Sequence, residues 1–194
     1  MKRAALRRSE LCAISLLCRQ ELSSIYAMAN LRIPRLSLPV IVEFDTFLGF
    51  CTRTGLPRES LPEALPDGMT VRYDGKYLIL YREEQSERRL TFTLAHELGH
   101  VLLGHMGEEP VKEEREANAF AASLLCPAAA VQYLAHRDGA LPTPDALTAI
   151  FPISREAAVC RLRDLRTRPR HPPTDEEITL LLQLFGRIAD REAL

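Results

Sequence analysis

The chain has 194 residues, 46% of them hydrophobic and 26% charged, and a net charge of −1 at neutral pH. That length buries a core as one domain with an appendage or as two small ones, and the balanced charge gives no bulk attraction to nucleic acid or to a membrane surface. The five cysteines, at 12, 18, 51, 126 and 160, are odd in number, scattered and without C-x-x-C spacing, which favours reduced thiols in a cytoplasmic setting over a disulfide framework or a structural zinc knuckle.

The chain opens MKRAALRRSELCAISLLCRQ, basic residues followed by a short apolar run. Glu10 precedes the run, Arg19 ends it and no small-residue cleavage site follows, so a secretory signal is disfavoured. An amphipathic helix using Leu11, Ile14, Cys18, Leu22 and Ile25 explains the pattern better and sets residues 1–35 apart as an N-terminal helical segment. No stretch approaches the length of a membrane span. Residues 33–38, with Pro34 inside and Pro39 directly after, read as a linker or extended lead-in; residues 40–55 give an apolar helical pattern; residues 57–68 are rich in turn formers.

MTVRYDGKYLILY comes next. Its Asp74-Gly75 pair, between alternating Val71, Tyr73 and Tyr77, Ile79, Tyr81, predicts a β-hairpin. An exposed edge on such a hairpin can pair with an extended peptide; the plainer reading is a hairpin that only packs on the following helix.

That helix carries TLAHELGHVLLGH, residues 93–105. Leu94, Leu98, Val101 and Leu102 form an apolar stripe, and Gly104 stands where a C-terminal cap is expected. His96 and His100, four apart, share a face and can hold one ion. Glu97 leaves the helix about 100° away, poorly placed as a ligand but able to reach a water at an open metal position. The competing reading is an exposed face with two solvated histidines. A catalytic zinc needs a third protein ligand.

Candidates lie in PVKEEREANAFAASLLCP, residues 110–127, a second helix with Ala117, Phe120, Ala121, Leu124 and Leu125 on its apolar face and alanines that permit close approach. Glu114 and Asn118 share a face, so Glu114 can bind the ion while Asn118 hydrogen-bonds a ligand histidine. Glu116 ranks second and Glu113 third; each is also explained as an acid in a first helical turn. His105 falls five residues after His100, one short of the metzincin spacing, and is read as a loop residue or a substrate-side group.

Residues 127–136 predict a further helix, Asp138-Gly139 a turn, and Thr143-Pro144 and Ser154 the starts of two short helices. Their junction, Phe151-Pro152-Ile153-Ser154, with Arg155, Arg161, Arg163, Arg166 and Arg168, permits a DNA-binding reading of residues 143–168, though arginines on a solvated helix face are ordinary and direct nucleic-acid binding is disfavoured. RTRPRHPP is a stiff basic linker. Thr174 with Glu177 forms a capping box for a last helix whose Ile178, Leu181, Leu182, Phe185 and Ile188 need cover from the N-terminal helix, a second copy in a homodimer, or a partner protein.

RRLTFTLAHELGHVLLGH, then EREANAFAASLLCP, then ALTAIFPISREAAVCRLRDL resemble, in order and separation, the ImmA/IrrE family of metallopeptidases over roughly residues 70–166. The resemblance implies zinc on His96, His100 and Glu114, Glu97 as the base that activates water, and Asn118 as the support of a ligand histidine. It implies a regulatory protease that cleaves a helix-turn-helix transcriptional repressor. Two departures are Cys126, where the family usually has methionine, and the absence of the helix-turn-helix segment that many relatives carry at the start. The expected architecture is α+β, mostly helical, with a small antiparallel sheet or hairpin beside a zincin-type helix; the peptidase domain spans residues 36–168 and a linker with a C-terminal amphipathic helix spans 169–194. Tyr81 and His105 are candidates for stabilising an oxyanion or touching substrate. Manganese or iron also suits a two-histidine, one-carboxylate set. The rival reading is a regulator whose metal only ties two helices together.

Overall fold

The computed structural model describes residues 2–167 and 172–186. Its elements run α1 (Lys2–Cys18), β1 (Val42–Thr46), α2 (Phe47–Thr54), β2 (Gly68–Tyr73), β3 (Lys76–Tyr81), α3 (Glu87–Leu103), α4 (Pro110–Leu125), α5 (Ala128–Arg137), α6 (Pro144–Ile150), α7 (Arg155–Thr167) and α8 (Asp175–Phe185), with short 3-10 turns at Ile25–Asn30, Ile33–Arg35 and Arg58–Ser60. The architecture is α+β and mostly helical. Arg168 and Ile188, used in the sequence reading, lie outside the described residues.

β2 and β3 form the expected antiparallel hairpin, registered from Gly68 opposite Tyr81 to Tyr73 opposite Lys76. Asp74 (φ 51°) and Gly75 (φ 72°) are both left-handed, the two-residue turn whose twist suits a hairpin. A third strand joins them. β1 runs parallel to β3, giving the order β1-β3-β2, so β3 is central and β2 is an edge. Residues 40–55 are therefore not one helix: Val42–Thr46 pair with Tyr77–Tyr81, and the helix begins only at Phe47. Thr46 makes the break, its Oγ1 accepting from Gly49 N at 2.9 Å as an N-cap. Because β3 is central, Leu78, Ile79 and Leu80 are all buried: Ile79 faces the helical core, while Leu78 and Leu80 meet Phe47 in a smaller cluster.

The main core draws on α1, β3 and α3 to α8. α3 and α4 pack closely at Gly99, where a Cβ would stand 3.2 Å from Ala117 Cα and 3.1 Å from Phe120 Cδ1. α1 ends at Cys18, and its buried set is Ser9, Glu10, Ala13, Ile14, Leu16 and Leu17 rather than the expected stripe. Leu11 and Cys18 are only partly buried, and Ile25 is buried in a 3-10 turn. The face is broader because both α4 and α8 pack on α1.

That packing supplies the cover for α8, whose Leu180, Leu181 and Leu184 are buried within the chain. Thr174 and Glu177 form the capping box, and Glu177 also accepts both guanidinium nitrogens of Arg7, at 2.9 and 2.7 Å. Of the stripe expected from the sequence, Leu181 is buried, Ile178 and Phe185 are partly buried and Leu182 remains 47% exposed.

Phe151 and Ile153, between α6 and α7, are buried, and Arg88 of α3 donates to the carbonyls of Ile153 and Thr148. Of the arginines there, Arg161 is buried beside Asp164 and Arg155 pairs with Asp145 at 3.0 Å, while Arg163 and Arg166 are exposed. Among the described residues no single helix is long and apolar enough to cross a membrane, and the five cysteines are unpaired thiols.

Candidate metal centre

The apolar stripe of α3 buries Leu94, Leu98 and Val101 and leaves His96 and His100 on the flank towards α4. Gly104 ends the helix in the left-handed region (φ 71°), and the amide of His105 donates back to the His100 carbonyl at 3.0 Å, closing a Schellman turn. The reversal does two things. It starts the return to α4, and it folds the His105 ring beneath His100.

α4 then brings its carboxylates up to the histidines. His96 Nε2 and His100 Nε2 lie 3.1 Å apart, and the Glu114 carboxylate stands 3.3 Å from the first and 3.4 Å from the second. On the far side of its ring, His96 Nδ1 donates to Asn118 Oδ1 at 3.1 Å. An amide oxygen can only accept, so this contact protonates Nδ1 and leaves the Nε2 lone pair towards Glu114. The other two glutamates are engaged elsewhere. Glu113 accepts backbone N–H groups from Gly107 (2.9 Å) and Met106 (3.4 Å), bracing the α3–α4 loop, and Glu116 Oε2 lies 3.1 Å from His105 Nε2. His100, His105 and Glu113 form a second group of converging donors beside the first.

Glu97 points the other way round α3, towards the sheet. Thr70 Oγ1 on β2 donates to its Oε2 at 2.7 Å. Gly68 permits that approach, since a Cβ there would fall 2.6 Å from Thr93 Cγ2 and 2.9 Å from Glu97 Cγ. Asp67 holds the start of β2 against α3, accepting from Arg89 Nε at 2.8 Å and from Arg82. Burial raises the pKa of Glu97, opposed by the Thr70 hydrogen bond and the neighbouring His96, and reinforced by Glu114. Burial also lowers that of His100, helped by His96, so its ring favours the neutral form that a metal requires.

Two clefts meet at this point. One of about 530 Å³ runs along β2 past Thr70, Tyr77, His100 and His105; the other, about 320 Å³, is lined by Phe92, His96 and Asn118, and both are bounded by Gly68, Glu97 and Glu114.

Residues 57–163, over half of the chain, match the peptidase family described as the IrrE N-terminal-like domain. The chain belongs to that family. No curated protein and no solved structure matches it. As an IrrE N-terminal-like peptidase it is a metallopeptidase, and the donor set can be tested against the metal this implies. Three donors separated by 3.1 to 3.4 Å fit one tetrahedral ion, for which zinc–ligand bonds of about 2.0–2.1 Å give an edge of about 3.3 Å. Two imidazole nitrogens and a carboxylate directed at one point are the donor set of such a site. The residues fit.

Tyr81 packs against the helical core opposite Gly68 and lines neither cleft; Tyr77, two residues earlier, lines the larger cleft instead. His105 lies in the loop after α3 and lines the larger cleft; its side chain is 7% exposed and both ring nitrogens are in contact, one with His100 and one with Glu116. Thr70 carried no sequence signal beyond membership of a hairpin just before the helix, and Gly68 was read only as the end of the turn-rich stretch 57–68.

Proposed function

We propose that the protein is a zinc-dependent endopeptidase of regulatory type, working in the cytoplasm on a helix-turn-helix transcriptional repressor. The observation that carries the reading is the convergence of His96 Nε2, His100 Nε2 and the Glu114 carboxylate at the junction of two clefts that also expose Glu97. His96, His100 and Glu114 would hold the zinc. When bound, the ion supplies Lewis acidity, polarising a peptide carbonyl and making water acidic enough to be deprotonated near neutral pH.

The chain's own groups do the rest. Glu97 holds Oε2 against Thr70 and moves the proton at Oε1, taking it from the attacking water and delivering it to the leaving amine nitrogen. Its raised pKa suits both halves of that cycle. Asn118 orients the His96 ring. β2, the sheet edge that lines the larger cleft, offers its backbone to an extended substrate segment, and Met69 (37% exposed) and Met106 (73% exposed) stand at the same cleft to take apolar side chains. A repressor substrate is what the sequence resemblance implies.

The test is co-expression with candidate helix-turn-helix repressors, followed by mass spectrometry for a single defined cut. Glu97→Gln is expected to retain stoichiometric zinc and lose cleavage, while Glu114→Ala loses both. Cleavage by zinc-loaded Glu97→Gln protein would sink the mechanism, and repressors left intact by the wild type under every inducing condition would sink the substrate.

A further inference from the structure

His100 has a neighbour that a two-histidine, one-glutamate centre does not require. Its Nδ1 lies 3.0 Å from His105 Nδ1, and His105 Nε2 lies 3.1 Å from Glu116 Oε2. The arrangement is enclosed, with side-chain exposures of 18%, 7% and 14% for His100, His105 and Glu116. Water therefore competes poorly for these contacts.

The proton positions follow from the partners. A carboxylate only accepts, so His105 donates through Nε2. A ligating histidine donates through its other ring nitrogen, so His100 Nδ1 carries the proton and His105 Nδ1, 3.0 Å away, accepts it. His100 Nε2 is left as the lone pair, directed at His96 Nε2 and Glu114. We infer that Glu116 and His105 are positioning residues that lock His100 into its Nδ1–H form and so complete the metal site before metal arrives. Asn118 does the same for His96 in one step; here two steps are needed because the Schellman turn puts an imidazole, rather than a carbonyl, beneath His100. Glu116 thus acts on the metal from a distance, although its type and position first suggest a ligand.

The inference rests on the metal-centre reading, so the experiment separates the two. In metal-free, ¹⁵N-histidine-labelled wild type, long-range ¹H–¹⁵N spectra are expected to show His100 with a protonated Nδ1 and an unprotonated Nε2; the opposite pattern overturns the inference and needs no variant. Zinc affinity, measured by competition with a chromophoric chelator, is expected to fall about 10- to 100-fold in His105→Leu and in Glu116→Leu, the range found when the outer partner of a ligating histidine is removed. His105→Asn, whose side-chain oxygen can still accept from His100 Nδ1, and Glu116→Gln, whose oxygen can still accept from His105, are expected to recover most of that loss. Equal loss in the leucine and amide variants would assign the residues a packing role and overturn the inference, as would unchanged affinity in all four. A second equivalent of zinc that disappears in His105→Leu would make His105 a ligand and overturn it too. Wild type that binds no zinc would remove the metal-centre reading and this inference together.

Discussion

Glu97 and its ligand neighbours share a helix, yet the group that steadies Glu97 comes from the sheet. Thr70 Oγ1 donates to the carboxylate and so favours its ionised form, against the burial that raises its pKa. Removing the donor takes away the largest of the effects that oppose burial. Thr70→Val is therefore expected to raise the Glu97 pKa and move the acid limb of the kcat/KM profile up by about one pH unit, the size of a hydrogen bond to a charged group. Thr70→Ser should restore the limb; a Thr70→Val profile that stays in place would reduce Thr70 to a packing residue. His96, Glu97 and His100 were legible because four-residue helical spacing places them without further information. Glu114 was separable from Glu113 and Glu116 only through its shared face with Asn118. Thr70 was not legible, since no periodicity links a strand residue to a helical one 27 positions on. His105 was legible as a loop residue, but its contacts were not, because spacing along the sequence does not show that a Schellman turn folds the ring back onto His100.

The proposed metal ligands come from two elements, so their spacing depends on how closely α3 and α4 lie. Gly99 sets that distance against Ala117 and Phe120. It sits in mid-helix despite a propensity penalty of about 1 kcal/mol relative to alanine, which marks the missing side chain as a packing requirement. Gly99→Val would force branched carbons into that contact. We expect destabilisation of about 2–3 kcal/mol by urea unfolding together with weaker zinc binding, since Glu114 moves with α4; unchanged stability would show that the helices can separate without harm. The alanines of α4 announced the close approach in the sequence, and the Asp74-Gly75 turn announced the hairpin. β1 went unannounced, because an apolar run that spans a strand and then a helix resembles one longer helix. Thr46, the N-cap that divides them, is a single local signal, and the decisive influence is pairing with β3, more than thirty residues away.

At the scale of the whole molecule, α1 and α8 close over the helical core, and Glu177 joins them while capping α8. Glu177 is 3% exposed, so removing its charge leaves the partly buried Arg7 with only its longer pairing to Glu10, at 3.5 Å. Glu177→Gln is expected to lower unfolding free energy by about 2–4 kcal/mol in urea titration, with zinc affinity of the folded protein unchanged. An unfolding midpoint equal to that of the wild type would mean that solvent takes over the Arg7 partnership. The capping box was readable from Thr174 and Glu177 alone. What covers α8 was not, because Arg7 lies 170 positions from Glu177 and amphipathic patterning names a face without naming its occupant.

The same separation bears on the order in which the molecule is made. The three metal donors fall between residues 96 and 114, joined by one short loop, whereas the clasp between α1 and α8 closes almost the whole chain. Loop closure favours the nearer contacts first. Zinc can therefore be captured by a half-folded chain whose last helix has not yet docked. During refolding with zinc present, pulse-labelled amides of α3 and α4 should gain protection before those of α8; simultaneous protection would show that the ion waits for the finished fold.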